Sequence, residues 1–271
     1  MTFTPGAELA RLRAAAPLVH NITNFVAMST MANVQLAIGA SPAMLHAREE
    51  VAEFAPLASA LTINIGTLSG EWLAGMLDAA AAANRADRPW VLDPVAVGAT
   101  SFRRRAAEQL LALGPKVIRG NASEIIALAR LTGGDSRSQT GKGVDAADPV
   151  EAAEAAANSL AGATGAVVAV TGAVDWVTDG ARGARVANGH PLMPRVTALG
   201  CALTGVIGAF LGAGSAPFAG TLAALAYYGL AGEQAAAVAA GPGSFASAFL
   251  DALAAMQPEQ LDQGARISLD R

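Results

Sequence analysis

The stretch Met193–Phe210 combines the residue types best suited to chemistry in this chain. A polar turn rich in small residues runs into an apolar segment, which predicts a helix beginning at Gly200-Cys201, and Cys201 is the only cysteine. The first N–H groups of a helix have no internal partner, and with the helix dipole they favour an anion in front of them. We therefore expect the N–H groups of residues 200–203 to face charge that develops during phosphoryl transfer. The alternative is a buried helix in which the cysteine fills space as a small apolar residue.

Two carboxylates are candidates for holding a hard cation. Asp93 ends an apolar run and precedes Pro94, and Glu124 falls in the first turn of a predicted helix. Such oxygens suit Mg²⁺. Asp93 could instead only form a turn. Glu124 has the capping-box spacing from Asn121, and that role is compatible with facing a cleft.

Arg119 and Thr171 are candidates for binding nucleotide phosphates. Arg119 follows the short apolar run 116–118 and could contact phosphate oxygens with two donors, although a surface ion pair fits the local pattern equally well. Thr171-Gly172 offers a hydroxyl and an unhindered backbone, which is a weak signal alone. A P-loop spacing, a zinc-ligand spacing among the three histidines and a serine-hydrolase elbow are all missing from the sequence.

The elements that must position these residues alternate along the chain. Short β-branched runs at residues 60–65, 89–93, 116–118 and 166–170 are followed by polar or glycine residues, and most of them by Ala/Leu-rich helical segments. This order predicts an α/β fold with a mainly parallel sheet, helices on both faces and ligands at the carboxyl ends of the strands. Residues 175–180 and 183–187 predict an antiparallel edge. We expect one domain over residues 1–271.

Charge and composition exclude several classes of partner. The formal net charge is −4 and the chain carries no dense basic block, which argues against a nucleic-acid or anionic-membrane surface. The run Arg103–Arg105 is interpreted as a solvated face. The N-terminus has no secretory pattern, and the lone cysteine fits a reducing compartment, so we expect a cytoplasmic protein.

Two segments need separate interpretations. Residues 196–232 carry no charge, but the break at 212–217 divides them into pieces expected to be shorter than the ~20 residues of a spanning helix. We therefore predict a buried helical hairpin. The polar segment Gly133–Ala147 predicts an exposed loop.

Taken in order, the motifs resemble those of the hydroxyethylthiazole kinases, thiamin-salvage enzymes with a ribokinase-like fold. The resemblance spans about Pro17 to Leu253 and rests on His20–Asn24, Ser41–Met44, Asn64–Thr67, Leu92–Gly98, Arg119–Glu124, Val170–Gly172 and Gly200–Cys201. It implies ATP-dependent phosphorylation of the primary hydroxyl of 4-methyl-5-(2-hydroxyethyl)thiazole. It also implies Mg²⁺ dependence and a homotrimer with active sites at subunit boundaries.

The resemblance assigns substrate contacts to Met44, Asn24, Gly66 and Ala198. Ala198 is also the main departure, because the family usually reads Val-Thr-Gly-x-Gly-Cys where this chain has Val-Thr-Ala-Leu-Gly-Cys. If the backbone makes this contact, alanine still serves. If the position needs a positive φ or the closest approach, an added methyl would raise KM or shift substrate choice.

The resemblance also assigns the catalytic and nucleotide positions. Cys201, beside Gly200, matches the place where most ribokinase-like kinases carry an aspartate base. The remaining matches are Arg119 and Thr171 for ATP, and Asp93 and Glu124 for magnesium.

Two questions stay open at this point. We expect the helix N-terminus to lower the thiol pKa of Cys201 from ~8.5, so that a thiolate accepts the hydroxyl proton, or else the group only positions that hydroxyl. The alternative functions are a related kinase for another small heterocyclic or sugar alcohol, which Ala198 supports, and a nucleotide-sensing module without transfer.

Overall fold

A computed structural model describes residues 3–133 and 149–270. Apart from Gly133, the loop predicted over residues 133–147 lies outside the described residues.

The described strands form one nine-stranded sheet in the order β2-β1-β3-β4-β5-β6-β7-β8-β9. Neighbours from β2 to β6 are parallel and those from β6 to β9 are antiparallel. The predicted α/β class, parallel body and antiparallel edge are confirmed. The strands are β1 (Leu18–Ile22), β2 (Ser41–Ala43), β3 (Ala60–Asn64), β4 (Trp90–Asp93), β5 (Val117–Asn121), β6 (Val167–Thr171), β7 (Asp175–Thr178), β8 (Gly183–Val186) and β9 (Ile267–Asp270).

Helices connect these strands and cover the sheet. They are α1 (Pro5–Ala15), α2 (Met28–Ile38), α3 (Arg48–Phe54), α4 (Gly70–Arg85), α5 (Ser101–Leu111), α6 (Ala122–Thr132), α7 (Pro149–Thr164), α8 (Leu199–Gly212), α9 (Pro217–Val238), α10 (Pro242–Ala255) and α11 (Pro258–Gly264). Short 3₁₀ turns occupy residues 55–57 and 193–195.

The core lies on both faces of the sheet because successive strand side chains point to opposite sides. Val91 belongs to one apolar cluster, together with buried residues of α1, α2 and α8 to α11. Its neighbours Trp90 and Leu92 pack with residues of α3 to α7. A continuous apolar strand such as β4 is therefore buried on both sides, as parallel strands covered by helices are.

The hairpin of α8 and α9 is confirmed as a buried pair. Glycines let α8 approach its neighbours: a Cβ on Gly205 would lie 2.3 Å from Nε2 of Gln35, and one on Gly208 would lie 2.5 Å from Cγ2 of Thr62. The second helix is longer than predicted, with 22 residues. Across residues 3–133 and 149–270, no helix has both the length and the apolar character needed to cross a bilayer.

The sheet topology sets where a ligand can bind. The chain passes from β1 to β2 on one side and then to β3 on the other, so the strand order reverses between β1 and β3. In open α/β sheets, ligands bind outside the carboxyl ends of the strands at such a point. Asn24 follows β1 and Gly66 follows β3, which places both residues at this end of the sheet.

Candidate active site

Asp93 ends β4 and is fully buried. Its Oδ2 accepts hydrogen bonds from Nδ2 of Asn64 (2.7 Å) and Oγ1 of Thr204 (2.8 Å), and it lies 3.6 Å from Nη1 of Arg119. Burial raises the pKa of Asp93 to about 6, against the lowering effect of Arg119. Oδ1 has no hydrogen-bond partner among the described residues. A buried, uncommitted carboxylate oxygen calls for a ligand, and Mg²⁺ or its bound water fits it.

Arg119 connects three parts of the site. It lies within β5, not after the strand as predicted, because β5 continues to Asn121. Its Nη2 donates to Oγ1 of Thr171 (2.7 Å), which ends the neighbouring strand β6. A Cβ on Gly200 would lie 3.4 Å from the same Nη2, so the guanidinium group also packs against the start of α8. The guanidinium group of Arg119 therefore lies beside Asp93, Thr171 and the N-terminus of α8.

Helix α8 begins at Leu199, with Ala198 as its N-cap at φ 66°. No side chain in the described part of the chain caps it, and its first internal bond joins the N–H of Ala202 to the carbonyl of Ala198 (2.8 Å). The uncommitted donors are therefore the N–H groups of residues 199–201. The predicted helix start is confirmed within one residue. The prediction of free donors at residues 200–203 is wrong for residues 202 and 203, whose N–H groups already lie within the helix.

Cys201 lies half-buried in a chain of amide side chains. Nδ2 of Asn24 donates to its Sγ (3.3 Å) and to Oδ1 of Asn64 (3.0 Å), and Asn64 in turn donates to Asp93. Burial and the nearby charge of Asp93 raise the pKa of the thiol. The predicted lowering of this pKa is wrong, because burial and Asp93 outweigh the lowering effects of Asn24, Asn64 and Arg119.

Of the predicted substrate contacts, Ala198 caps α8, and the other three follow the ends of β1, β2 and β3. Gly66 packs so closely on Asn24 that a Cβ would lie 2.7 Å from the Cβ of Asn24. Met44 follows β2, is half-buried and packs against the apolar core. Beside it, the carbonyl of Leu45 bonds to Nε2 of buried His20 (2.9 Å).

Glu124 forms the predicted capping box with Asn121. Its Oε2 accepts from the N–H of Asn121 (2.9 Å), and its Oε1 accepts from the N–H of Ala96 (2.9 Å) in the loop after β4. Each oxygen retains a second lone pair, which suits a contact through water. Among the residues that the structure describes, there is no group of three or more His, Cys, Asp or Glu side chains that could hold a metal ion. Mg²⁺ usually needs only one or two carboxylates beside phosphates and water, so Asp93 and Glu124 still fit it.

Three residues here were missed as candidates. Thr204 bonds to Asp93 and stands one turn after Cys201 on α8, a helical spacing that could have indicated it. Asn64 was quoted only as part of a motif. Asp175 accepts from the N–H of Gly172 (2.9 Å) beside Thr171, and burial raises its pKa to about 7.

Comparisons with known proteins find one family over most of the chain. A model of the "Hydroxyethylthiazole kinase family" matches residues 9–259. A hydroxyethylthiazole kinase of Cereibacter sphaeroides (strain KD131) is 65% identical over 262 residues, covering 97% of each chain.

Solved structures give the same result at the level of the fold. The hydroxyethylthiazole kinase protein of Pyrococcus horikoshii OT3 superposes with a TM-score of 0.90 at 42% identity, covering 98% of this chain and 99% of that one. A ribokinase-like superfamily protein of Enterococcus faecalis V583 gives a TM-score of 0.63 at 12% identity, over 90% of this chain and 88% of that one. The second likeness shows the ribokinase-like fold.

Proposed function

The chain belongs to the hydroxyethylthiazole kinase family, and from that premise we propose that it transfers the γ-phosphoryl group of ATP to the hydroxyl of 4-methyl-5-(2-hydroxyethyl)thiazole in thiamin salvage. The observation that carries this proposal is the meeting of Asp93, Arg119 and the open N-terminus of α8 at one place. A cation-binding oxygen, a phosphate-binding guanidinium and free N–H donors are the parts that in-line phosphoryl transfer uses.

The N-terminus of α8 is proposed to stabilise charge on the transferred group. The N–H groups of Gly200 and Cys201 point out of the first helical turn, and Gly200 is exposed. Preorganised donors of this kind act on charge that develops in the transition state, and losing one typically lowers kcat by ~10²–10³-fold. Arg119 and Thr171 are proposed to hold the nucleotide phosphates beside them.

Cys201 is proposed to position the alcohol, not to act as its base. Its raised pKa keeps the thiol protonated at neutral pH, so it is a poor proton acceptor. A loose phosphoryl-transfer transition state places little demand on a base. Asn24 fixes the thiol, and Gly66 leaves the room beside Asn24 that a side chain would fill. Met44 and Ala198 are proposed to complete the alcohol site.

Asp93 and Glu124 are proposed to hold Mg²⁺, Asp93 through its uncommitted Oδ1 and Glu124 through water. When bound, the ion would neutralise phosphate charge during transfer. The residues themselves supply the fixed carboxylates: Asn64 and Thr204 orient Asp93, and two backbone N–H groups orient Glu124.

Product analysis tests the proposal. The protein is incubated with ATP, Mg²⁺ and a panel containing the thiazole alcohol, a hydroxymethylpyrimidine and simple sugars, and mass spectrometry identifies which alcohol gains a phosphate. We expect the thiazole alcohol to be the best substrate and Asp93→Asn to remove the activity. Preference for another alcohol would overturn the substrate assignment, and ADP release independent of any alcohol would overturn the kinase assignment.

Assembly and location complete the proposal. Phe25 and Val26 follow Asn24 directly and are 64% and 61% exposed, so a neighbouring subunit would bury apolar surface beside the site. We propose a homotrimer of single-domain chains with sites at subunit boundaries, acting in the cytoplasm. Analytical ultracentrifugation tests it: a monomer at assay concentrations would contradict the trimer.

A further inference from the structure

Arg103 is not part of a solvated face, which corrects the interpretation of Arg103–Arg105. It extends from the first turn of α5 toward the carboxyl ends of β3 and β4. Its Nη1 donates to the carbonyls of Ile65 and Val95, the latter at 2.9 Å, and its Nη2 donates to the carbonyl of Gly66 (2.5 Å). Its neighbour Arg105 is exposed. One guanidinium group therefore binds three main-chain carbonyls.

Those carbonyls belong to two loops that carry proposed site residues. The loop after β3 contains Gly66, and the loop after β4 runs from Asp93 through residues 94–98. The two strands are parallel neighbours, with Asn64 paired to Asp93. Arg103 is thus a cross-link between the substrate side and the metal side of the site.

Each loop is also held from its other side. The N–H of Gly66 donates to Oδ1 of Asn64 (2.9 Å), and the N–H of Ala96 donates to Oε1 of Glu124 (2.9 Å). Arg103 binds the carbonyls of Gly66 and Val95, so both a carbonyl and an N–H group are held in each loop. Small displacements matter at such a place, because an error of ~1 Å in position can lower turnover ~10²-fold.

Arginine suits this role better than lysine does. Its guanidinium group is planar and presents donors in a fixed fork, so one side chain spans carbonyls of two loops. A lysine ammonium group is a compact charge on a flexible chain. It keeps the positive charge but does not bridge the carbonyls of both loops. Among the described residues, Arg103 donates to no carboxylate, so its contacts act on backbone position and not through an ion pair.

We propose that Arg103 is a positioning residue for phosphoryl transfer, which holds the Gly66 loop in register with the loop after Asp93. The inference rests on the proposed function. It predicts one variant with two coupled defects: a lower kcat/KM for the alcohol, through the Gly66 loop, and a higher Mg²⁺ concentration for half-maximal rate, through the Asp93 loop.

The test compares Arg103→Met and Arg103→Lys with Arg105→Met, which removes a charge from the same helix. We expect Arg103→Met to lower kcat/KM for the thiazole alcohol by about 10- to 100-fold and to raise the Mg²⁺ requirement. Arg103→Lys should recover part of the loss, and Arg105→Met should stay within about twofold of the parent protein. Circular dichroism and thermal unfolding establish which variants fold.

The outcomes separate this inference from the proposed function. If the parent protein fails to phosphorylate the alcohol, the proposed function fails first. The positioning role is overturned if the parent is active and a folded Arg103→Met variant keeps both kcat/KM and the Mg²⁺ requirement within twofold. It is also overturned if only one of these two quantities changes. Should Arg103→Met not fold, Arg103→Lys decides by the same criteria, with Arg105→Lys as its control.

Discussion

Replacing Ala198 by glycine should stabilise the protein. Ala198 is the N-cap of α8 and has φ 66°, a left-handed conformation that costs an L-residue about 1–2 kcal/mol. Glycine adopts it freely but loses about 0.5–1 kcal/mol more to chain entropy on folding. The midpoints of the two effects predict a gain of about 0.8 kcal/mol, or roughly 1.5–3 °C in Tm for a chain of this size. Urea unfolding with m unchanged gives the free energy directly.

Ala16→Gly is the matched control. Ala16 is an exposed alanine with φ 42° at the C-cap of α1, away from the proposed site. Both variants should therefore gain stability. Only Ala198→Gly should change catalysis, because its methyl group lies at the N-terminus where we place the alcohol. We expect its KM for the thiazole alcohol to fall about tenfold or more, since one methyl in a pocket is worth about 1–3 kcal/mol. If Ala16→Gly is stabilised and Ala198→Gly is not, the strain argument fails. Should the KM stay unchanged, the methyl group does not limit the alcohol site.

Three further predictions concern buried groups. Cys201→Ala should lower kcat by less than the ~100-fold expected on loss of a general base, and Cys201→Asp should remain active; steady-state rates on folded protein check this, and complete loss of turnover in Cys201→Ala would contradict it. Burial lowers the pKa of His20 to about 4, so the unfolded chain takes up its proton first as pH falls. Relative to His20→Gln, the parent should lose about 3 kcal/mol of stability between pH 6.5 and 4. Urea unfolding at several pH values measures this, and the same dependence of the unfolding free energy on pH in both proteins would refute it. Burial raises the pKa of Asp175 to about 7, so the unfolded chain ionises first as pH rises. Against Asp175→Asn, the parent should lose up to about 4 kcal/mol between pH 4 and 7, measured the same way, and a constant difference across that range would count against the buried, neutral carboxyl.

Strands made mostly of apolar and β-branched residues were predictable from sequence, and a strand interrupted by polar residues in its middle was not. Residues 60–65 and 89–93 matched β3 and β4 closely because the polar Asn64 and Asp93 stand only at the strand ends. β1 was missed because His20 and Asn21 interrupt its pattern. Both are buried, and Asn21 forms bonds with Gln35 and Thr62 that only the folded chain brings within reach.

Local sequence patterns predicted the elements that carry the candidate site, but not its electrostatic environment. The helix start before Cys201 and the capping box at Glu124 are local patterns. The raised pKa of the thiol is not a local pattern, because it is caused by burial and by Asp93. Asp93 is far from Cys201 in the sequence and close to it only in the fold. Arg103 shows the same limit: a run of three arginines indicates solvent exposure, and only the packing of α5 distinguishes the one that turns inward.

The decisive measurement is the structure of the protein with a non-hydrolysable ATP analogue, Mg²⁺ and the thiazole alcohol. We expect the γ-phosphate within hydrogen-bond distance of the N–H groups of Gly200 and Cys201, with Arg119 on the phosphates and the alcohol oxygen beside the Cys201 thiol. A nucleotide bound away from the N-terminus of α8, with those N–H groups covered by protein, would contradict it.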